Sequence, residues 1–208
     1  MTTFGGSRPR LLVATRSEHK LRELRELLAL PNAELVTLDE VGVDGEPVED
    51  GESFEANAAI KARAGLAASG VPTLADDSGI EVDALDGAPG VRTRRYAGDD
   101  ATDEQNNQKL LAALEGLPAE RRGAHYVCSL VLAMPGEPLI TVRGECAGRI
   151  ATGPRGSGGF GYDPIFEPDR EPPGGRTFGQ WSAEDKNRVS HRARAAQAMT
   201  PYLVDRGF

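Results

Sequence analysis

Two adjacent carboxylates, Asp76 and Asp77, stand in the run LADDSG and are followed at once by a hydroxyl, Ser78, and by Gly79. Alternation along a strand sends neighbouring side chains to opposite faces, so both acids sit idle in solvent only if the strand has already ended. One reading is an Asx turn closing the strand, which accounts for one aspartate and the glycine and leaves the second acid over. The other is that the acids are aimed at something positive. Upstream, Glu49, Asp50 and Glu52 gather in front of a helix that carries Asn57 and Lys61 four residues apart, hence on one face. Such an acid run either complements the helix dipole or supplies oxygen ligands. Oxygen-only ligands beside a lysine suit Mg2+ with phosphate rather than zinc, which prefers His and Cys. Glu49, Asp76 and Asp77 are therefore the candidate metal set, and a carboxylate beside a metal can also take a proton from water as general base.

Three further segments have chemical potential. In TRSEHK (Thr15, Arg16, Ser17, Glu18, His19, Lys20) a strand ends, hydroxyls follow, and a helix begins with a lysine in its first turns. Free N–H groups, hydroxyl donors and an ammonium make a phosphate seat, although a serine N-cap explains the same residues. It is no Walker loop, because the glycines and the Gly-Lys-Ser/Thr are missing. SGGFGYDPIF sets glycines beside Phe160 and Tyr162, which lets backbone approach a flat ring, and aromatic faces stack on nucleobases. The alternative is a glycine-rich hairpin with two core aromatics. SAEDKNRVSHRARA brings Lys186, His191 and Arg192 into one region, where a His–Arg pair taken alone is a solvated helix face.

The elements that must position these residues follow from periodicity. LLVAT (residues 11–15) is a short buried strand, and the next helix carries Leu21, Leu24, Leu27 and Leu28 on one stripe. AELVTL is a second strand. A helix from Ser53 turns Phe54, Ala58, Ala62 and Leu66 inward, and PTLA leads as a strand into the paired acids. Thr102 and Gln105 form a capping box ahead of Leu110, Leu111 and Leu114. AHYVCSLVLAM and PLITVRGECAGRIA are two long strands of a hairpin turning at Pro135–Pro138, and one last helix starts at Ser182 with a stripe of Ala193, Ala196, Met199 and Leu203. Strands interleaved with helices, plus one long hairpin, give an α/β protein with a mixed sheet.

At 208 residues the chain fits one domain over 1–208, with residues 1–9 expected to be disordered. A net charge of −8 argues against nucleic acid or an anionic membrane as partner, yet admits a polyanionic small molecule received by local cations or a metal. The N-terminus has no apolar core of a signal peptide, and Cys128 and Cys146 read as buried reduced thiols, so the expected location is cytoplasmic.

Taken together, TRSEHKLREL, EDGESFEANAAIKA, LADDSGIEVDALDGAPGVRTRRYAG, GSGGFGYDPIF and SAEDKNRVSHRARA resemble, in order, the signatures of the inosine triphosphate pyrophosphatase family, from about Leu11 to Tyr202. The resemblance implies an elongated α/β fold of two lobes with a central cleft, a homodimer, and Mg2+ as cofactor. It implies hydrolysis of non-standard purine nucleoside triphosphates (ITP, dITP, XTP) to the monophosphate and pyrophosphate. It assigns Asp77 as proton acceptor and metal contact, with Glu49 and Asp76 on the metal side. It assigns Thr15, Arg16, Ser17, Glu18, His19, Lys20, Lys61 and Ser78 to the triphosphate, and Phe160, Gly161, Tyr162, Asp163, Lys186, His191 and Arg192 to the base. The chain departs from the pattern at Ser17, where the family has asparagine; serine still donates to a phosphate oxygen but lacks the amide's second group. Thr93-Arg94 is a milder departure.

Twenty arginines stand against four lysines, and three of those four, Lys20, Lys61 and Lys186, fall in the segments above. In so arginine-rich a chain a retained lysine marks a place where a compact ammonium is needed in place of a planar fork. Lys→Arg changes at 20, 61 and 186 are therefore expected to lower hydrolytic activity while Lys109→Arg does not; equal tolerance at all four positions in the same assay would refute the idea.

Overall fold

The computed structural model describes residues 8–208. The disorder expected at the N-terminus falls, for residues 1–7, outside the described residues, whereas the Pro9 carbonyl already accepts the Glu34 N–H. A six-stranded sheet runs in the order β2-β1-β3-β4-β5-β6. Its strands are β1 (Arg10–Val13), β2 (Glu34–Val36), β3 (Thr73–Val82), β4 (Gly123–Ala133), β5 (Ile140–Ile150) and β6 (Phe166–Pro168). β1 is parallel to β2 and β3, and from β3 to β6 every pairing is antiparallel. The mixed α/β sheet expected from the interleaved pattern is thus observed.

Helices cover both faces: α1 (Glu18–Leu28), α2 (Phe54–Ser69), α3 (Asp103–Ala113), α4 (Ala183–Asn187) and α5 (His191–Val204). On one face, Leu24 and Leu28 of α1 and Ala195, Ala196, Met199 and Leu203 of α5 bury against Leu74, Leu130 and Leu132. On the other, Ala58 and Ala62 of α2 pack on Ala75 and Val131. Toward the far end of the long strands, Leu110 and Leu114 share a core with Ile80, Tyr126, Phe166 and Phe178. No helix among the described residues is long and apolar enough to cross a membrane.

Three features differ from the sequence reading. LADDSG does not close a strand: β3 continues through Asp76, Asp77, Ser78 and Gly79 to Val82, paired throughout with β4. The turn reading fails because the backbone stays extended and paired with β4 while both carboxylates find side-chain cations in place of neighbouring N–H groups. The last helix is two helices. The Ser190 side chain accepts the Ala193 N–H and restarts the chain as α5, after α4 has already ended. The three-residue β6 has no counterpart in the periodicity, since so short an edge segment holding a proline carries no alternation to read.

Close approach explains two glycines. A methyl at Gly79 would strike the Thr93 hydroxyl, the Gly90 carbonyl and the Phe54 ring, because the 3-10 turn Gly90–Arg95 lies directly over β3 there. A methyl at Gly144 of β5 would run into the α5 backbone at His191 and Ala195. Since backbone cannot yield as a flexible side chain does, Gly144→Ala is expected to destabilise the protein by about 1–3 kcal/mol, read as a lower urea midpoint with secondary structure retained.

Candidate active site

Mid-strand placement sends the paired acids to opposite faces of β3. Asp76 points with Leu74 and Ser78 toward α1 and α5. Its carboxylate lies 2.6 Å from Lys20 Nζ and 3.2 Å from the Arg192 guanidinium, and it also accepts the Cys128 thiol at 3.4 Å. Asp77 points with Ala75 toward α2, where Lys61 Nζ lies 2.9 Å from its Oδ1 and 3.1 Å from Glu49 Oε2. The sequence-derived metal set is therefore divided: Asp77 and Glu49 share a site and Asp76 does not.

The Asp76 face is a closed charge network. Arg192 is 1% exposed and is the largest fully buried side chain among the described residues. Its guanidinium binds Asp76, the Ser78 hydroxyl at 2.8 Å and, in a short contact, Glu23 of α1. Glu23 also accepts from Lys186 Nζ at 3.2 Å, and Lys186 donates to the buried Asp163 at 2.7 Å. Three cations, Lys20, Lys186 and Arg192, thus balance three carboxylates, Glu23, Asp76 and Asp163. Burial alone would raise the Asp76 pKa, but Lys20, Arg192 and Lys61 overcome it and hold the carboxyl well below the usual range. Glu23 is lowered in the same way, with Arg192 and Lys186 opposing its burial.

The Asp77 face is unbalanced. One ammonium serves two carboxylates, which leaves one negative charge over. Burial raises the Asp77 pKa despite the pull of Lys61, and the neighbouring Asp76 charge adds to the rise. Burial works to lower the Lys61 pKa, yet Asp77, Asp76 and Glu49 together hold it raised. A carboxylate of raised pKa is the more competent base.

The remaining residues gather around these two clusters. Ser17 caps α1, its Oγ accepting the Lys20 N–H at 3.4 Å, so the capping role is real whatever else the turn binds. Thr15 accepts the Ser17 N–H, Glu18 is exposed in the first helical turn, and the Arg16 side chain reaches toward the loop after β2. His19 stacks on Phe160 with centroids 5.1 Å apart, bringing the α1 turn up to the glycine-rich loop. Lys186 Nζ lies 4.7 Å from the centre of the Phe160 ring. The loop is set by Asp163, which accepts the Phe160 N–H, and Gly159 adopts φ +72° where a methyl would strike that carboxylate. Gly161 donates to Asp103 at 2.6 Å. Tyr162 is a core residue whose hydroxyl donates to the Thr93 carbonyl at 2.8 Å. His191 is buried and stacked 4.6 Å from Tyr126, and burial together with Arg192 and Lys186 holds its pKa well below normal, so the ring is neutral at pH 7. The solvated-face reading of His191 and Arg192 fails because α5 packs that turn against β4 and β5.

Sequence reasoning missed Glu23, which ties both Lys186 and Arg192 to α1. A signal existed: Lys20, Glu23, Leu24 and Leu27 follow the i, i+3, i+4, i+7 spacing, which places the glutamate on the inward stripe. Asp103 and Asn107, which hold Gly161 from α3, carried no such signal.

A model of the Ham1 family matches residues 11–202. The chain belongs to the Ham1 family. Among its relatives, a dITP/XTP pyrophosphatase of Geobacter sulfurreducens is 46% identical over 93% of this chain and 96% of its own length. One of Syntrophobacter fumaroxidans is 49% identical over 89% of this chain and 78% of its own. The solved HAM1 protein of Coxiella burnetii shares the fold with a TM-score of 0.86 at 37% identity, covering 95% of this chain and 99% of that one. A nucleoside-triphosphatase / dITP/XTP pyrophosphatase from Mycobacterium abscessus does so with a TM-score of 0.76 at 45% identity, covering 92% and 99%. Ham1 membership bears out the resemblance drawn from the motifs and makes the chain an enzyme, a hydrolase with the curved, helix-flanked α/β sheet of its relatives.

Removing one partner of a buried ion pair leaves the others uncompensated, so Asp76→Asn is expected to cost about 3–5 kcal/mol of folding stability. A carboxylate depressed in the folded state contributes stability that is fully present above its unfolded pKa, about 3.9 for aspartate, and is lost as pH falls through the folded value. Denaturant melts between neutral pH and pH 2 should accordingly show stability falling below about pH 4 in the wild type and a flatter dependence in the variant.

Proposed function

We propose that the protein is a Mg2+-dependent nucleoside triphosphate pyrophosphohydrolase that converts ITP, dITP and XTP to the monophosphate and pyrophosphate, cleansing the nucleotide pool. The observation that carries this reading is the division of the paired acids, which leaves Asp77 as a carboxylate of raised pKa that shares Lys61 with Glu49 and still lies within reach of the Lys20 charge at the start of α1. The names of the Geobacter and Syntrophobacter relatives support the same substrate class.

The donor set on the Asp77 face fits Mg2+. Among the described residues no three His, Cys, Asp or Glu side chains converge as a cage. Mg2+, however, takes one or two carboxylates, keeps several waters and completes its shell with substrate phosphates. Asp77 and Glu49 are the residues that would hold it, and the excess negative charge there favours a cation. When bound, the ion supplies positive charge to the phosphate oxygens. Asp76 contributes from the other face by fixing Lys20 and Arg192.

Thr15, Ser17 and Lys20 at the start of α1, with Lys61, receive the triphosphate, and α1 directs free N–H groups at it. Water attacks the α-phosphorus, Asp77 accepts its proton, the bond from that phosphorus to the α–β bridging oxygen breaks, and pyrophosphate leaves. Lys20 and Lys61 stabilise the charge that develops. Phe160 offers its ring to the base. Glu23 and Asp163 occupy two of the three Lys186 N–H donors, so one is left for an acceptor. Hypoxanthine and xanthine present a 6-oxo acceptor, whereas adenine presents an amino donor and leaves the lysine unpaired, a mismatch that discriminates strongly. The same reading places the enzyme in the cytoplasm as a homodimer, with no nucleic acid or membrane partner.

The test incubates the protein and Mg2+ with ITP, dITP, XTP, ATP, GTP or dTTP and measures pyrophosphate and orthophosphate separately. Pyrophosphate from the first three is expected; orthophosphate as primary product, or ATP preferred over ITP, overturns the reading. Asp77→Asn should bind nucleotide yet lose about two to four orders of magnitude in turnover.

A further inference from the structure

The loop that bears Glu49 has little packing of its own. Between Val41 and Phe54 no residue is fully buried, and Val48, next to Glu49, is 80% exposed. The loop is nevertheless held at two points. At its far end the buried Asn57 of α2 accepts the Gly51 N–H at 2.9 Å. At its near end the holder is Arg16, from the turn between β1 and α1. One Arg16 Nη donates to Asp39 at 2.7 Å, the other to the carbonyls of Val43 at 2.8 Å and Gly45 at 3.2 Å, and Nε lies 3.9 Å from Glu46. Glu49 lies between these anchors, where its carboxylate meets Lys61 at 3.1 Å.

A planar guanidinium suits this task, since its rigid fork binds two carbonyls and a carboxylate at once, which a lysine ammonium on a flexible stem does less well. With those donors engaged, the Arg16 side chain has turned toward the loop even though its backbone belongs to the phosphate-binding turn. We propose that Arg16 is a positioning residue that holds the Glu49 loop against Lys61 and Asp77, and is not a contact to the substrate's phosphates. The seat for the triphosphate and the acid on the metal side are thereby joined through one side chain. The inference rests on the proposed pairing of Glu49 with Asp77 around a cation, and one of its measurements is independent of that pairing.

Hydrogen exchange reads the tether without catalysis. Arg16→Ala should speed amide exchange across residues 43–52 and leave β3 unchanged; unchanged exchange in the loop overturns the proposal. Mn2+ binding, followed by electron paramagnetic resonance with a non-hydrolysable ITP analogue present, should weaken by about tenfold in Arg16→Ala. Arg16→Lys, which keeps the charge and loses the fork, should recover part of it. Glu49→Gln should remove the effect, so that the double variant Arg16→Ala/Glu49→Gln binds Mn2+ no more weakly than Glu49→Gln alone. The KM for ITP at saturating metal should not change. A raised KM with unaltered Mn2+ affinity identifies Arg16 as a phosphate contact and overturns the proposal, as does a full additional loss in the double variant.

Discussion

The buried ion pair between Asp76 and Arg192 is the constraint around which the rest of this structure is arranged. Taking a carboxylate and a guanidinium out of water costs several kcal/mol per ion, and the cost is offset only when geometry is good and every remaining polar site is filled. Asp76 is served by Lys20, Arg192 and the Cys128 thiol, while Arg192 is served by Asp76, Ser78 and Glu23. Those partners come from α1, β3, β4 and α5, so one interaction fixes how two helices lie across the sheet. Lys186 and Asp163 extend the same network to α4 and the glycine-rich loop.

That face is balanced and the other is not. Asp76 is paired with Lys20 and Arg192, while its neighbour Asp77, sent to the other face by the strand, shares a single lysine with Glu49. The imbalance lies on the α2 side of β3, and the strand between the two clusters keeps them from collapsing into one. Lys61 still feels Asp76, which helps hold the ammonium protonated. The two clusters are chemically different because the pleat separates them, even though their central acids are adjacent in the chain.

Much of the framework was legible in the sequence. The apolar stripe of α1, the capping box ahead of α3 and the long hairpin of β4 and β5 follow from local spacing, and they are observed. The start of α5 at Ser190 was less legible, because Ser182 and Ser190 are both competent caps and only packing decides that the chain restarts at the second. β6 and the 3-10 turn over Gly79 were not legible, since each owes its form to distant backbone rather than to its own residues. Among the candidate site residues, Tyr162 illustrates the difficulty: its motif was open to both a base-stacking ring and a core aromatic, and only the packing shows the ring buried with its hydroxyl on the Thr93 carbonyl.

By itself the sequence determined the chemistry available: paired acids, three retained lysines in separate motifs, an aromatic beside glycines, and a family signature running through nearly the whole chain. Only the tertiary structure decided which acids share a cation. Asp76 and Asp77 are one residue apart along the chain and on opposite sides of a sheet in space, while Glu49, distant in sequence, shares a lysine with Asp77. Residue type and spacing constrain what a side chain can do, but its partners depend on where the register of β3 against β4 and the packing of α2 and α5 bring the rest of the chain.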